Sequence, residues 1–498
     1  MNRSLPEVLD MARRGVAVAA HSDAVQPGGV FVVLPAAAPD NGAGKPGGEV
    51  WIPKALERGA GVVVCEERHL PALAAADPNG RAAVCVTPSA RKALGSLAQA
   101  FYRTDVAKPE VIGITGTNGK TTGTYLLERL FTGAGRTVGV IGTVEYRRPG
   151  YRENASLTTP GCLELHRMLA DMHAHGVDLA VMETASHALD QKRIAGIEFA
   201  AGALTNVTQD HLDYHGDMET YFQTKARFFR PLSQGGVPLE NKAKIINVDD
   251  PYGRRLAEEL PDALCFGLTG TAPAGRRMLS GRILSLTPSG MRLAMNCAGD
   301  AWELRSPMVG AFNASNLLGA QAVGLAMGLK PAAFAALEDF AGVPGRLERV
   351  PNPQGLHVFV DYAHTPDALT NVLTALRAAG FARIVTVFGC GGNRDRTKRP
   401  LMGRAVAALT DVAVLTSDNP RHEEPEAIIA DVLPGLVDCR ETVVEPDRRV
   451  ALRKALAMMG PDDALLVAGK GHEAYQQIGD VKVPFSDQAV IRELLQCA

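Results

Sequence analysis

Val111-Ile112-Gly113-Ile114-Thr115-Gly116-Thr117-Asn118-Gly119-Lys120-Thr121-Thr122 is an apolar, β-branched run that feeds a glycine-bracketed turn. Tyr125-Leu126-Leu127-Glu128-Arg129-Leu130 follows with apolar residues at helical spacing, so the stretch reads as strand, loop, helix. A loop at a helix N-terminus offers unpaired N–H groups and the positive end of the helix dipole, a good receptor for polyphosphate. The glycines let the backbone of Gly116, Thr117, Asn118 and Gly119 come close to such a group. Lys120 can reach terminal phosphates, the Thr121 hydroxyl is placed to ligate Mg²⁺, and Thr122 completes the motif. Ile114 stands where the usual phosphate loop has glycine, so an ordinary βα turn is the alternative. The strand before and the helix after favour an ATP site.

With 498 residues the chain is too long for one core, and three domains are expected. Hydrophobic residues at 46% and charged residues at 21% describe an ordinary globular protein. A net charge of -2 gives no basic footprint for nucleic acid and no polybasic membrane anchor. The Met1–Glu7 start lacks an apolar signal core and no apolar run is of bilayer-spanning length, which predicts a cytoplasmic protein. Eight cysteines without a Cys-x-x-Cys pair suggest reduced, mostly core thiols.

Before Lys108, the runs Val30–Leu34 and Gly61–Cys65 read as strands of a small α/β module, and Ala36–Gly48 reads as a flexible loop. Ser22, Asp23 and that loop could contact a ligand, with solvated surface the plainer reading. From Pro109, Thr137–Ile141 and Asp178–Met182 are strand-like and Pro160 opens a helix through His173, which implies a mostly parallel sheet with helices on both faces. Ligands then gather at the strands' carboxyl ends.

Glu183 sits at such an end, where it is either an Mg²⁺ ligand or a capping or salt-bridged glutamate. Leu204–Gly216 carries a strand into an Asp/His cluster around Asp210 and His211, either a metal or phosphate site or a hydrogen-bonded turn. Lys225, on a helix expected over Tyr221–Phe229, reads as a solvated cation. Gly281–Met295 looks like a hairpin attached to the central domain, and Asn313 and Asn316 begin a helix, the first as a possible N-cap. After Gly345, strands are expected at His357–Asp361, Ile384–Phe388, Val412–Thr416 and Ala464–Val467, with helices between.

Taken together and in order, these landmarks resemble the Mur ligases, ATP-dependent amide-forming enzymes of peptidoglycan precursor synthesis. They include Gly116–Thr122, Thr158-Thr159-Pro160, Glu183–His187, Asp210–Gly216, Gly310–Asn316, Pro344–Glu348, Asp361–Pro366, Asp418-Asn419-Pro420-Arg421 and Gly469–Glu473. The resemblance implies an N-terminal UDP-substrate domain over 1–107, a central ATP-binding domain over 108–344 with a phosphate-loop-type sheet, and a Rossmann-like amino-acid-binding domain over 345–498. It implies ATP contacts from Gly116–Thr122, Asn313, Asn316, Arg346 and Asp361. Thr121, Glu183, His211 and a carbamylated Lys225 would serve Mg²⁺, with Lys120, Glu183, His211 and Lys225 as the catalytic set.

Ser22, Thr158, Thr159, Gln191 and Arg193 match contacts to a UDP-N-acetylmuramoyl-L-alanyl-D-glutamate substrate. Arg394, Asp418, Asn419, Pro420, Arg421, Gly469 and Glu473 match the meso-diaminopimelate site. The second guanidinium favours the diaminopimelate-adding branch over the lysine-adding one, because Arg421 can engage the distal carboxylate that lysine lacks; a helix-start salt bridge is its alternative role. Leu157, Ala185 and Asp23 depart from the family pattern. A monomer is expected.

Overall fold

The computed structural model describes residues 2–36, 47–231, 239 and 242–496; most of the Ala36–Gly48 loop lies outside the described residues. The chain forms two compact units, residues 1–280 with 318–333 and residues 281–317 with 334–498.

In the first unit, β1 (Val18–Ala19), β2 (Val30–Val32), β3 (Val62–Cys65) and β4 (Ala83–Val86) form a parallel sheet in sequence order. Alternation of side chains along a strand sends Val30, Val32, Val62 and Val64 to one core and Phe31, Val33, Val63 and Cys65 to another, so both faces are covered. The Leu5–Arg13 and Ala90–Tyr102 helices pack on the first of these faces.

The second sheet of this unit is built on β5 (Glu110–Thr115), β6 (Val138–Ile141), β7 (Glu145–Arg148), β8 (Tyr151–Asn154), β9 (Leu179–Glu183), β10 (Ala201–Leu204), β11 (Ala243–Asn247), β12 (Leu264–Gly267) and the first residues of β13 (Arg277–Thr287). Its order from β12 is β12-β11-β10-β5-β9-β6-β7-β8, parallel through β6 and antiparallel in β7 and β8. Register decides what meets above it. Ile114 lies beside Glu183, Thr115 beside Leu204, and Ile141 beside Met182. The segments that leave these strands therefore emerge along one edge, as expected for a ligand site in an open parallel sheet.

In the second unit, β14 (Gly290–Cys297) and β15 (Asp300–Ser306) are antiparallel. A six-stranded sheet follows in the order β16 (Glu348–Arg349), β17 (His357–Asp361), β21 (Ala464–Ala468), β18 (Ile384–Phe388), β19 (Val412–Leu415), β20 (Glu441–Val444), parallel except for β16 at its edge. Phe359, Ile384 and Phe388 join the core that includes residues of the Pro366–Ala378 and Lys398–Ala407 helices. Val358, Val360, Val385 and Val387 join the core under Arg448–Ala457 and Asp487–Gln496. Helices on both faces are the doubly wound arrangement expected for this segment. A hairpin of β22 (Tyr475–Ile478) and β23 (Val481–Pro484) completes the unit.

The strands expected at His357–Asp361 and Ile384–Phe388 have those bounds. The Gly281–Met295 hairpin starts earlier, at Arg277, and residues from 281 group with the second unit. Asn313 lies inside the Ala311–Ala326 helix and is not its N-cap. Among the described residues, every cysteine is a free thiol and all but Cys439 are buried. Among the same residues no helix is long and apolar enough to cross a membrane.

Candidate active site

Between β5 and the Lys120–Gly133 helix the chain turns on two glycines in the left-hand half of conformational space, Gly116 at φ +149° and Gly119 at φ +86°. The Gly116 conformation also brings the loop against the end of β10. Thr117 N–H donates to Asn206 O at 2.9 Å, Asn118 N–H to Asn206 Oδ1 at 2.9 Å, and Thr205 Oγ1 to Asn118 O at 2.6 Å. Thr205 and Asn206 are thus the braces of the loop, a role the sequence reading did not assign them. Thr121 and Thr122 are buried at the start of the helix. Lys120 Nζ donates back to Gly116 O at 2.9 Å and Thr117 O at 2.8 Å.

Lys225 is not a solvated cation. Its side chain is buried, with Nζ donating to Gly116 O at 2.9 Å and lying 4.4 Å from the centroid of the Tyr221 ring. Burial, followed by the Lys120 charge, pushes its pKa well below the ordinary lysine value. Tyr221 in turn reaches Thr117 Oγ1 at 3.2 Å, so the Met218–Ala226 helix forms the floor beneath the phosphate loop.

Glu183, at the end of β9, is fully buried. Its two carboxylate oxygens accept the Thr143 N–H at 2.7 Å and the Thr143 hydroxyl at 3.0 Å. This excludes the helix-cap and surface salt-bridge readings. Thr143, just beyond β6, was missed; the only sequence signal for it was its place after a strand end. Its hydroxyl also contacts Thr158 Oγ1 at 3.0 Å.

His211 adopts φ +53° and pairs with Asp210 at 3.5 Å. Its ring packs edge-on against His187, with centroids 4.7 Å apart, and burial lowers its pKa. His215 donates to or accepts from Ser186 Oγ at 3.0 Å, and burial takes its pKa down to about 4. Among the described residues, no three His, Cys, Asp or Glu side chains form a ready-made metal cage. Mg²⁺ takes oxygen ligands and usually keeps waters and substrate phosphate among them. A fully buried carboxylate whose partners are the neutral N–H and hydroxyl of Thr143 also fits a divalent cation.

Thr158, Thr159, Gln191 and Arg193 come together in this unit. Thr159 Oγ1 donates to Glu183 O at 2.7 Å, Arg193 Nη1 to Thr159 O at 2.9 Å, and Arg193 Nη2 to Gln191 Oε1 at 2.8 Å. Arg91 Nη1 adds a bond to Gln191 O at 3.2 Å. Ser22 is buried in a short helical turn, which corrects its reading as solvated surface; Asp23 pairs with Lys54 at 2.6 Å.

In the second unit, Asn313 Nδ2 donates to Val309 O at 2.9 Å and Asn316 Nδ2 to Asn313 Oδ1 at 3.2 Å. Asp361 accepts the backbone N–H of Leu347 at 2.6 Å and of Ala363 at 2.7 Å, while its burial raises its pKa. Arg346 stacks over Tyr362, 5.3 Å from the ring centroid.

Arg394 and Arg421 both approach Gly391: a Cβ built there would lie 3.0 Å from Arg421 Nη1 and 3.7 Å from Arg394 Cγ. Arg421 takes φ +51°, bonds through its N–H to Gln477 O and through Nη1 to Gly392 O at 2.7 Å, and does not begin a helix. Pro420 O abuts Gly392 so closely that a Cβ there would sit 1.9 Å away. Asp418, Asn419 and Glu473 meet at Lys470, and a side chain at Gly469 would press on Asp418 Oδ2 at 3.0 Å. A cavity of about 550 Å³ opens beside this loop, lined in part by Arg421, Arg448 and Gln476.

A parallel sheet whose inner strand opens into a glycine-bracketed loop at a helix N-terminus defines a phosphate-loop-type α/β protein. The Mur ligase middle domain matches residues 114–324, and the Mur ligase, glutamate ligase domain matches residues 345–471. The chain is 50% identical over 499 residues to the UDP-N-acetylmuramoyl-L-alanyl-D-glutamate–2,6-diaminopimelate ligase of Lawsonia intracellularis, covering 100% of both chains. It is 42% identical over 488 residues to the protein of the same name from Synechococcus elongatus, covering 97% of this chain and 94% of that one. A solved structure of a ligase of this name superposes with a TM-score of 0.70 at 30% identity, over 97% of this chain and 94% of the other. The chain belongs to the Mur ligase family, and is a ligase of peptidoglycan precursor synthesis.

Proposed function

We propose that the protein adds meso-diaminopimelate to the D-glutamyl γ-carboxylate of UDP-N-acetylmuramoyl-L-alanyl-D-glutamate in the cytoplasm, at the expense of ATP. Full-length identity of 50% to a ligase of that name is the observation that carries this reading. In it, residues 1–107 receive the UDP-linked substrate, 108–344 the ATP and 345–498 the amino acid.

The γ-carboxylate oxygen attacks the terminal phosphorus of ATP, and the bond to the bridging oxygen breaks to release ADP and leave an acyl phosphate. The amine of diaminopimelate then attacks the acyl carbon and loses a proton, and phosphate departs. Such transfers need charge neutralisation and alignment more than covalent help. Backbone N–H groups of the Gly116–Thr122 loop other than those of Thr117 and Asn118, which Asn206 holds, and the Lys120 ammonium receive the phosphates, with Asn313, Asn316, Arg346 and Asp361 as the remaining nucleotide contacts. Thr159, Gln191 and Arg193, linked by hydrogen bonds, and Thr158, bonded to Thr143, present the dipeptide, with Ser22 on the uridine side. Arg394 and Arg421 take the distal carboxylate, and the Asp418–Glu473 cluster takes the ammonium beside it.

Mg²⁺, held by Thr121, Glu183, His211 and a Lys225 carbamate, would neutralise charge on the phosphates. The depressed basicity of Lys225 supports the carbamate, because only the neutral amine attacks CO₂. The product is an anion in place of a cation.

Phosphate release is the test, measured with the UDP-linked dipeptide, ATP and Mg²⁺ while only the amino acid varies. Diaminopimelate should support turnover, and lysine and glutamate should not. Equal turnover with lysine, or normal ligation by a Lys120→Ala variant, would refute the reading.

A further inference from the structure

Lys470 is a wholly buried lysine whose surroundings are the amino-acid site itself. Its Nζ lies 3.2 Å from Asn419 Oδ1, 3.4 Å from Glu473 Oε2 and 3.5 Å from Asp418 Oδ1. The network fixes the Asn419 amide in one orientation. Its Oδ1 accepts from Lys470 and from the Gln477 N–H at 2.9 Å, so its Nδ2 must donate, and does so to Glu473 Oε2 at 2.9 Å. One ammonium thus pins three side chains drawn from two segments of the chain.

The charge count gives this a purpose. The nearby Arg448 is taken up by Asp487 through two bonds of 2.8 Å, both side chains fully buried. Lys470 forms ion pairs with both Asp418 and Glu473. Asp418 Oδ1 is buried and makes no hydrogen bond among the described residues, and the Lys470 ammonium lies 3.5 Å from it. Without Lys470 the two carboxylates would lose the ammonium that lies within 3.5 Å of both, and Arg448, which also acts on both by charge, is bonded to Asp487 instead.

We propose that Lys470 is a positioning residue that holds Asp418, Asn419 and Glu473 in the arrangement that receives the incoming amino acid. It touches none of the reacting atoms. The inference rests on the reading of this cluster as the amino-acid site.

The experiment compares Lys470→Met and Lys470→Gln with the unaltered protein, measuring KM for diaminopimelate and for ATP together with kcat. The expected result is a rise of at least about tenfold in the KM for diaminopimelate with the KM for ATP within about twofold. A merely structural lysine would instead lower active enzyme or shift both KM values together. An unchanged KM for diaminopimelate overturns the proposal.

In the unaltered protein with ¹⁵N-labelled lysine, the Lys470 ammonium signal, assigned with either variant or by its slow exchange, should move on titration with diaminopimelate. A signal that stays fixed at saturation overturns the proposal even if neither variant folds. Failure of the unaltered protein to use diaminopimelate would refute the underlying site reading instead, so the two failures are distinguishable.

Discussion

Lys120 and Lys225 direct their ammonium groups at one oxygen, the Gly116 carbonyl, each at 2.9 Å. Two like charges on a single acceptor repel, and the one that is buried gives up its proton more readily. Lys225 is the buried one. Lys225→Gln should lower ligation by about 100-fold or more, the scale of losing a charged group at a phosphoryl-transfer site. With ¹³C-bicarbonate, the unaltered protein should show a carbamate resonance that Lys225→Gln lacks. Lys120→Met, by removing the neighbouring charge, should raise the Lys225 pKa and weaken that resonance.

A methyl group at Gly116 would fall 1.9 Å from Thr205 Oγ1, in a backbone conformation that L-residues rarely adopt. Gly116→Ala must therefore push Thr205 away from Asn118 and reshape the loop. Nucleotide binding should be lost, as read by calorimetry, and the melting temperature should fall. Thr205→Ala keeps the glycine and removes only one brace, so it should weaken nucleotide binding by a smaller factor.

In the proposed function, Arg421 sets up selectivity between amino acids that differ by one carboxylate. Its removal in Arg421→Ala should raise the KM for diaminopimelate by about 10- to 100-fold, as for loss of a charge-assisted bond to an anion. Arg421→Lys should recover little, because a point charge cannot reproduce the bond to Gly392 O and still present a second N–H to substrate. Steady-state kinetics with both amino acids would check this.

His215 gives a pH dependence with a definite sign. Its folded-state pKa is about 4, below the ordinary histidine value, so the unfolded chain binds the proton more readily. Its contribution to stability is complete above the unfolded pKa of about 6.5 and is lost as pH falls from there towards 4. The melting temperature should drop between pH 7 and 5, and His215→Asn should flatten that drop.

What could be read from the chain, and what could not, follows from the range over which each feature is determined. The phosphate loop is local: strand, glycines and helix start are adjacent, so its reading needed no tertiary information. Lys225 was misjudged because its burial is imposed by a loop 109 residues earlier in the chain. No pattern within the Met218–Ala226 helix signals that. Thr143 escaped for the same reason, since it meets Glu183 only through the pairing of β6 with β9. Ser22 looked like surface because a short polar turn carries no mark of what will cover it. The proposed amino-acid motif was legible as residues but not as a network, because Lys470, which the fold buries among them, looks in sequence like any lysine between two glycines.

The Ala90–Tyr102 helix and the turn at Ala195-Gly196 touch backbone to backbone. A Cβ at Gly95 would lie 2.5 Å from that of Ala195, and one at Gly196 2.6 Å from Gly95 O. Such close seating works like a keyed joint. The first hundred or so residues are seated directly on the segment that carries Gln191 and Arg193, and a chain begun after Lys108 would bare that seam to water. Trimming the protein to its catalytic-looking middle should therefore leave a fragment that melts at a lower temperature than the whole chain.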